Sequence, residues 1–305
     1  MNNICALNKN QTTCLPDKSI KTIASNFINN TNKSTDTIIN ELSKKSENCQ
    51  NLDNTQHKEL CILKNIQKDN NTNKNINKLV NKHIIQYFKP VANKLDGNYW
   101  INNTEIDNIQ HQLLKNFKGY YYSYIHMLDL KMFSPQTSSL IEEHSKILPI
   151  TQIDFVDELK NKTNMNYNGD LKYYGVVCNT DLSSGGGLHW FCIFMDFTKN
   201  PIEIEYFNSS GYDIKNDYYG NKFKTFFINL ADNISLNYKP CIFKKVTDIE
   251  HQRSDTANCG SYSLYYIWKR LNNIDYPDFV NITIEDEDME KFRTLLWRKK
   301  NELKF

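Results

Sequence analysis

The sequence predicts an α+β protein on three observations. The first ninety residues carry apolar positions at helical spacing in short bursts, three strand-like runs follow one another closely between residues 172 and 207, and further helical patterns lie before, between and after them. At 305 residues the chain exceeds the roughly 100 to 200 of a usual single domain, and its pattern changes at Pro90. An all-helical arm domain is therefore expected over 1–92 and a core domain over 93–305.

In the arm, DKSIKTIASNFINN, DTIINELSKKSE, HKELCILKNIQK and NINKLVNKHIIQYF read as short, weakly apolar helices joined by Asn-rich connections. KDNNTNKNINK, 68–78, is low in complexity and reads as a loop or linker. Pro90 closes the last helix because it lacks the N–H that continuation needs. In the core, WINNTEIDNIQHQLLKNF opens with Thr104 and Asp107 in a capping-box-like spacing, and QIDFVDELKNK predicts another helix. The runs 172–180, 188–197 and 201–207 predict strands, and the short loops between them predict antiparallel hairpins. NKFKTFFINLAD reads as helix, KPCIFKKVT as strand and CGSYSLYYIWKRL as helix. EDEDMEKFRTLLWRK is a last helix whose acidic start and basic end suit its dipole.

Composition sets limits on function. The net charge is only +2, which argues against bulk nucleic-acid affinity, but the first 100 residues hold 14 Lys and Arg against 8 Asp and Glu. That excess fits a solvated helical surface, and it also fits an anionic partner for the arm. The N-terminus shows no secretory pattern and no apolar run approaches the roughly 18 residues of a membrane span, so a soluble intracellular protein without membrane insertion is expected. The eight cysteines are expected to be reduced on that ground, and they contain no C-x-x-C pair of the kind zinc sites use.

The chemistry centres on HQRSDTANCG, 251–260. Cys259 falls at the start of a helix, where unpaired N–H groups and the dipole favour a thiolate. Gly260 is expected to leave room there for a substrate backbone. A thiolate needs a base, and among the seven histidines His57, His83 and His111 fall on amphipathic helices, while His126 and His144 lack catalytic neighbours in sequence. His189 follows the flexible SSGGG and starts a strand, whose antiparallel neighbour ends at Asn208. The two side chains can therefore meet, with the amide oxygen orienting the imidazole. Gln252 lies on the loop entering the nucleophile's helix, where its amide can donate to an oxyanion. His251, on the same loop, has no evident orienting partner. Taken singly, each residue also has a structural reading: a buried Cys, a strand His beside a Trp, a turn Asn and a loop Gln.

The chain order His, Asn, Gln, Cys, with HW, a polar residue about twenty later and Q-x-x-x-x-x-x-C-G, resembles the SUMO-protease and adenovirus-protease superfamily of cysteine peptidases. Within it, GVVCNTDLSSGGGLHWFCIFMDF, IEIEYFNSSG, HQRSDTANCGSYSLYYI and ITIEDEDMEKFRTLLWR resemble the polyprotein-processing proteases of African swine fever virus and related large DNA viruses, over roughly residues 95 to 305. The resemblance implies a core with a mixed, largely antiparallel sheet flanked by helices, and the nucleophile at a helix N-terminus. It implies His189 as base and acid, Asn208 as its orienting partner, Cys259 as nucleophile and Gln252 as oxyanion donor. Trp100, in WINNTEID, resembles the Trp that covers a substrate's Gly-Gly segment, and Trp190 is implied beside it. Six residues separate Gln252 from Cys259, one more than the resemblance to SUMO proteases implies. No cofactor is implied. The implied substrates are viral polyproteins with Gly-Gly motifs, the implied setting is the host cytoplasm and virion, and the basic arm is given nucleic-acid or core-shell contacts. Cleavage of ubiquitin-like conjugates, acyl transfer and a scaffold role on a decayed protease fold stand as alternatives.

Overall fold

The structure, a computed structural model, describes residues 5–7, 12–46, 48–69, 72–92, 95–133, 146–164, 169–212, 220–275 and 282–299. His144 lies outside these residues. The chain forms two compact units, one holding Met1–Lys94 together with the C-terminal segment from Leu295, the other the bulk of Leu95–Thr294.

The first unit contains α1 (Asp17–Ala24), α2 (Thr35–Lys45), α3 (Thr55–Lys68) and α4 (Lys74–Tyr87). Three of these start where the side chain of Ser34, Asn54 or Asn73 accepts a first-turn N–H, which explains why such polar sequence makes helix at all. Helix α4 begins inside the stretch 68–78 read as loop, of which 70–71 lie outside the described residues. Ile20, Ile23, Ile38, Leu42, Leu60, Leu63 and Val80 form the core between the helices. Contrary to the expectation of reduced thiols, Cys5 pairs with Cys14 and Cys49 with Cys61. The expectation rested on compartment alone, whereas short helices with this little apolar surface are the kind that cross-links hold together. Glu59 adds a third tie, since its buried carboxyl accepts the N–H groups of Cys14 (2.7 Å) and Leu15 (3.4 Å).

The core domain expected over 93–305 gives up its end to this unit. Strand β1 (Val91–Ala92) pairs in parallel with β9 (Arg298–Lys299), and Arg298 Nε donates to the Lys89 carbonyl at 2.9 Å. Two-residue strands leave no periodicity to read, so this return of the chain was invisible in sequence.

In the second unit, α5 (Asn103–Asn116) begins with a true capping box, but two residues before the expected one: Asn102 Oδ1 accepts from Glu105 N, and Glu105 Oε2 accepts from Asn102 N. There follow β2 (Tyr120–Tyr122), β3 (Ile125–His126), β4 (Met132–Phe133), α6 (Phe155–Thr163), β5 (Tyr173–Asn179), β6 (Trp190–Asp196), β7 (Ile202–Phe207), α7 (Gly220–Asn237), β8 (Cys241–Lys245), α8 (Cys259–Leu271) and α9 (Asp286–Leu296). The antiparallel β5-β6-β7 meander is the centre of a mixed sheet. The α7 crossover makes β8 parallel to β7, while β2 and β3 run parallel to β5 and β4 closes that edge antiparallel to β3.

Period-two alternation gives the sheet two buried faces. On one, Tyr174, Phe191, Ile204 and Tyr206 meet Phe155 of α6 and Phe223 of α7. On the other, α8 lies flat on the meander, with Tyr266 stacked on Phe207 at 4.6 Å between ring centres. Arg270 pairs bidentately with the fully buried Glu205 (2.7 and 2.8 Å), and the Tyr266 hydroxyl donates to the same carboxylate at 2.6 Å. Helix α8, which Cys259 begins, is thus bolted to the strand that leads into Asn208. Among the described residues no helix is long and apolar enough to cross a membrane.

Candidate active site

The 6-7 hairpin register pairs Cys192 with Phe207, which sets the residue before β6 against the turn after β7. His189 Nε2 accordingly lies 2.8 Å from Asn208 Oδ1, and 3.4 Å from the hydroxyl of Ser210. The Asn208 amide cannot turn freely, because its Nδ2 donates to the Tyr206 hydroxyl (2.9 Å), which in turn donates to the Tyr212 carbonyl (3.1 Å). Ser210 N and Oγ also donate to Asn208 Oδ1. The acceptor end of the amide therefore faces the imidazole. Sequence reasoning found Asn208 from strand geometry; Tyr206, two residues earlier on the same face, carried no signal of its role.

Cys259 is the first residue of α8 and is buried. Backbone N–H groups of Trp190 and Gly260, and its own, favour the thiolate, and Gly260 packs on the Trp190 indole, so the residue next to His189 lies beside the start of α8. Burial pushes the thiol up to about 11, against the pull of those three N–H groups and of the Arg293 guanidinium. Burial also lowers His189 below its usual range, and the bond to Asn208 only partly offsets this. The helix start was expected to make Cys259 anionic by itself; burial works against it and is the larger effect. The other three free cysteines differ in kind. Cys178, Cys192 and Cys241 are raised by burial with nothing opposing it, and only Cys259 has donors and a cation directed at its sulfur.

Gln252 is buried and held at both ends of its amide. Its Oε1 accepts from Ser209 Oγ (2.9 Å), and Nε2 donates one hydrogen to the Thr256 carbonyl (2.8 Å), leaving the second N–H for another acceptor. Ser209 also takes the backbone N–H of His251 (2.7 Å) and Gln252 (3.1 Å) on its carbonyl. The turn 208–210 thereby orients the histidine with one residue and the glutamine loop with the next. His251 is occupied elsewhere: Nδ1 accepts from Ile284 N at 3.2 Å and Nε2 lies 3.3 Å from Thr247 Oγ1.

Trp100 and Trp190 line one cleft of about 640 Å³, together with Asn179, Gly185 and Gly187. Trp100 is half exposed, whereas Trp190 is buried and donates Nε1–H to the Ile101 carbonyl at 3.2 Å. Gly260 serves this packing. A Cβ there would sit 3.2 Å from Trp190 Cδ1 and 3.5 Å from Ile101 Cβ, so the space it leaves is filled by the indole and not, as expected, by a substrate backbone. From α9, Arg293 reaches the Asn258 side chain (2.9 Å) and the Ala257 carbonyl (3.1 Å) directly before Cys259. Among the described residues no group of His, Cys, Asp and Glu has the arrangement of a metal site.

No protein-family model matches the chain. It is 41% identical over 127 residues to a SUMO-1 cysteine protease of African swine fever virus from a Warthog/Namibia isolate, covering 41% of this chain and 44% of that protein. The cysteine protease of the Badajoz strain matches with the same identity and coverage. The aligned stretch thus spans less than half the length of these relatives. The fold matches the crystal structure of the African swine fever virus protease with a TM-score of 0.62, at 25% identity, over 97% of this chain and 96% of that one. The chain is therefore similar to the cysteine proteases of African swine fever virus over 127 residues and shares the α+β fold of the solved one.

Proposed function

We propose that the protein is a cysteine endopeptidase that cleaves after Gly-Gly motifs in viral structural polyproteins, in the host cytoplasm and the assembling virion. The observation that carries this reading is Cys259, the free cysteine that begins a helix, whose neighbour Gly260 packs on Trp190 directly after the His189–Asn208 pair. His189 takes the thiol proton on Nδ1, since Nε2 is engaged with Asn208. The sulfur then attacks the glycine carbonyl, and the oxyanion is met by the remaining N–H of Gln252 and the N–H of Cys259. The imidazolium protonates the leaving amine, and water activated by His189 hydrolyses the thioester.

The cleft supports the substrate class. The half-exposed indole of Trp100 on its wall suits a slim glycine backbone. The African swine fever virus relative is a SUMO-1 cysteine protease by name, which makes ubiquitin-like conjugates the rival substrate. Incubation of the full chain with a polyprotein fragment containing Gly-Gly sites, and separately with a SUMO conjugate, followed by mass spectrometry of the new termini, separates the two. Cleavage of the fragment after Gly-Gly at a higher kcat/KM than the conjugate is expected; the reverse order assigns the enzyme to conjugates. Because burial lowers His189, the acid limb of kcat/KM is expected below 6.5, and in Asn208→Ala, which loses the bond that partly offsets burial, at lower pH still.

A further inference from the structure

The loop between Gln252 and Cys259 has no regular structure, yet it must hold an amide N–H to within about half an ångström for the oxyanion. What holds it is a buried side chain from another helix. Asp286, the first residue of α9 and 2% exposed, accepts from three loop residues: Arg253 N on Oδ2 (2.9 Å), and Thr256 Oγ1 (2.9 Å) and Asn258 Nδ2 (2.7 Å) on Oδ1. Thr256 is also the residue whose carbonyl takes one hydrogen of the Gln252 amide. Its hydroxyl, 3.0 Å from the Arg253 carbonyl, lies across the same turn.

We propose that Asp286 is a positioning residue for the oxyanion site, acting through Thr256 on Gln252. The amide of Gln252 is planar, its oxygen is fixed by Ser209, and one of its two N–H bonds is fixed by Thr256. Its second N–H then has a single direction, and that direction moves whenever the Thr256 carbonyl moves. Asp286 sets where that carbonyl sits. The carboxylate is specific to the task, because the three groups bonded to it are donors and the Arg253 guanidinium lies 3.9 Å away; an amide at this position would turn an NH2 toward one of them. The second anchor, Asn258, ties the same carboxylate to the residue before the nucleophile.

The inference rests on the peptidase reading above, and one set of measurements separates the two. Turnover of a Gly-Gly peptide carrying a fluorogenic leaving group is compared for the unmodified chain, Gln252→Ala, Asp286→Asn and the Asp286→Asn/Gln252→Ala pair. The rate of Cys259 alkylation by iodoacetamide, which needs no oxyanion site, is measured on each. Asp286→Asn is expected to lower kcat by about tenfold or more with KM within about twofold. Its alkylation rate should stay within about twofold of the unmodified chain, and its effect should nearly vanish in the Gln252→Ala background. Full kcat in Asp286→Asn, a loss that multiplies in full on Gln252→Ala, or alkylation falling in step with kcat would each overturn the proposal. If Asp286→Asn fails to fold, Thr256→Val decides: a kcat loss of about threefold or more with an unchanged unfolding midpoint supports it, and an unchanged kcat overturns it. An unmodified chain that leaves every Gly-Gly substrate intact sinks the peptidase reading and the inference together.

Discussion

The helical unit rests on a core of isoleucine, leucine and cysteine, tied by two disulfides and by a carboxyl buried against backbone N–H groups. The sheet unit does without cross-links: its four free cysteines are all buried, and its layers are joined by aromatic stacking and by saturated polar networks such as Glu205–Arg270–Tyr266. The difference teaches where each region is vulnerable. Short helices with little apolar surface depend on what limits their unfolded chain, whereas a sheet packed on both faces depends on no buried charge being left alone.

The comparison can be broken from either side. The largest effect is expected from Glu205→Ala, which removes the acceptor of two Arg270 N–H bonds and of the Tyr266 hydroxyl and leaves the guanidinium Asp196, Asp275 and the Ile274 carbonyl; a loss of about 3–5 kcal/mol in the sheet unit should appear in chemical unfolding followed by tryptophan emission. Reduction of the two disulfides comes next, at about 2–4 kcal/mol each, and should speed tryptic cleavage within residues 12–92 well before cleavage within 173–207. The sheet unit, with no disulfide among its described residues, should show no such response.

Glu59 sharpens the comparison through pH. Burial raises its carboxyl from 4.5 to about 8, the bonds from Cys14 and Leu15 opposing only part of the shift. A carboxyl whose folded value lies above its unfolded one gives its full stability below pH 4.5 and loses it as pH climbs through 8. Stability of the helical unit is therefore expected to fall by a few kcal/mol across that window, and Glu59→Gln should flatten the profile. The smallest effect is expected from Tyr206→Phe. Losing the acceptor for Asn208 Nδ2 lets the amide rotate, so kcat should fall several-fold while the unfolding midpoint shifts by about 1 kcal/mol or less.

How far the sequence could be read follows the same physics. The long helices and the three meander strands were legible because their apolar periods run for a turn or several residues, and His189 could be matched to Asn208 because antiparallel pairing places hairpin ends side by side. Two-residue strands such as β1 and β9 have no period, so the return of the C-terminus was not legible. The disulfides were missed because compartment was argued in place of geometry. At the site, residue types that do chemistry stood out, whereas Ser209, Tyr206, Asp286 and Arg293 did not. Their roles depend on contacts across up to 43 positions of sequence, as between Ser209 and Gln252, and no local pattern records these. The burial that opposes the helix start at Cys259 was not legible for a related reason, since a helix terminus is visible in sequence and burial is not.

The central claim is that Cys259, deprotonated by His189 at the moment of attack, breaks the peptide bond. Its most direct measurement is kcat/KM on a Gly-Gly peptide for the unmodified chain and for Cys259→Ala, with circular dichroism showing both folded. The account predicts loss of all turnover above background in Cys259→Ala, and persistent cleavage at the original rate by that variant would contradict it.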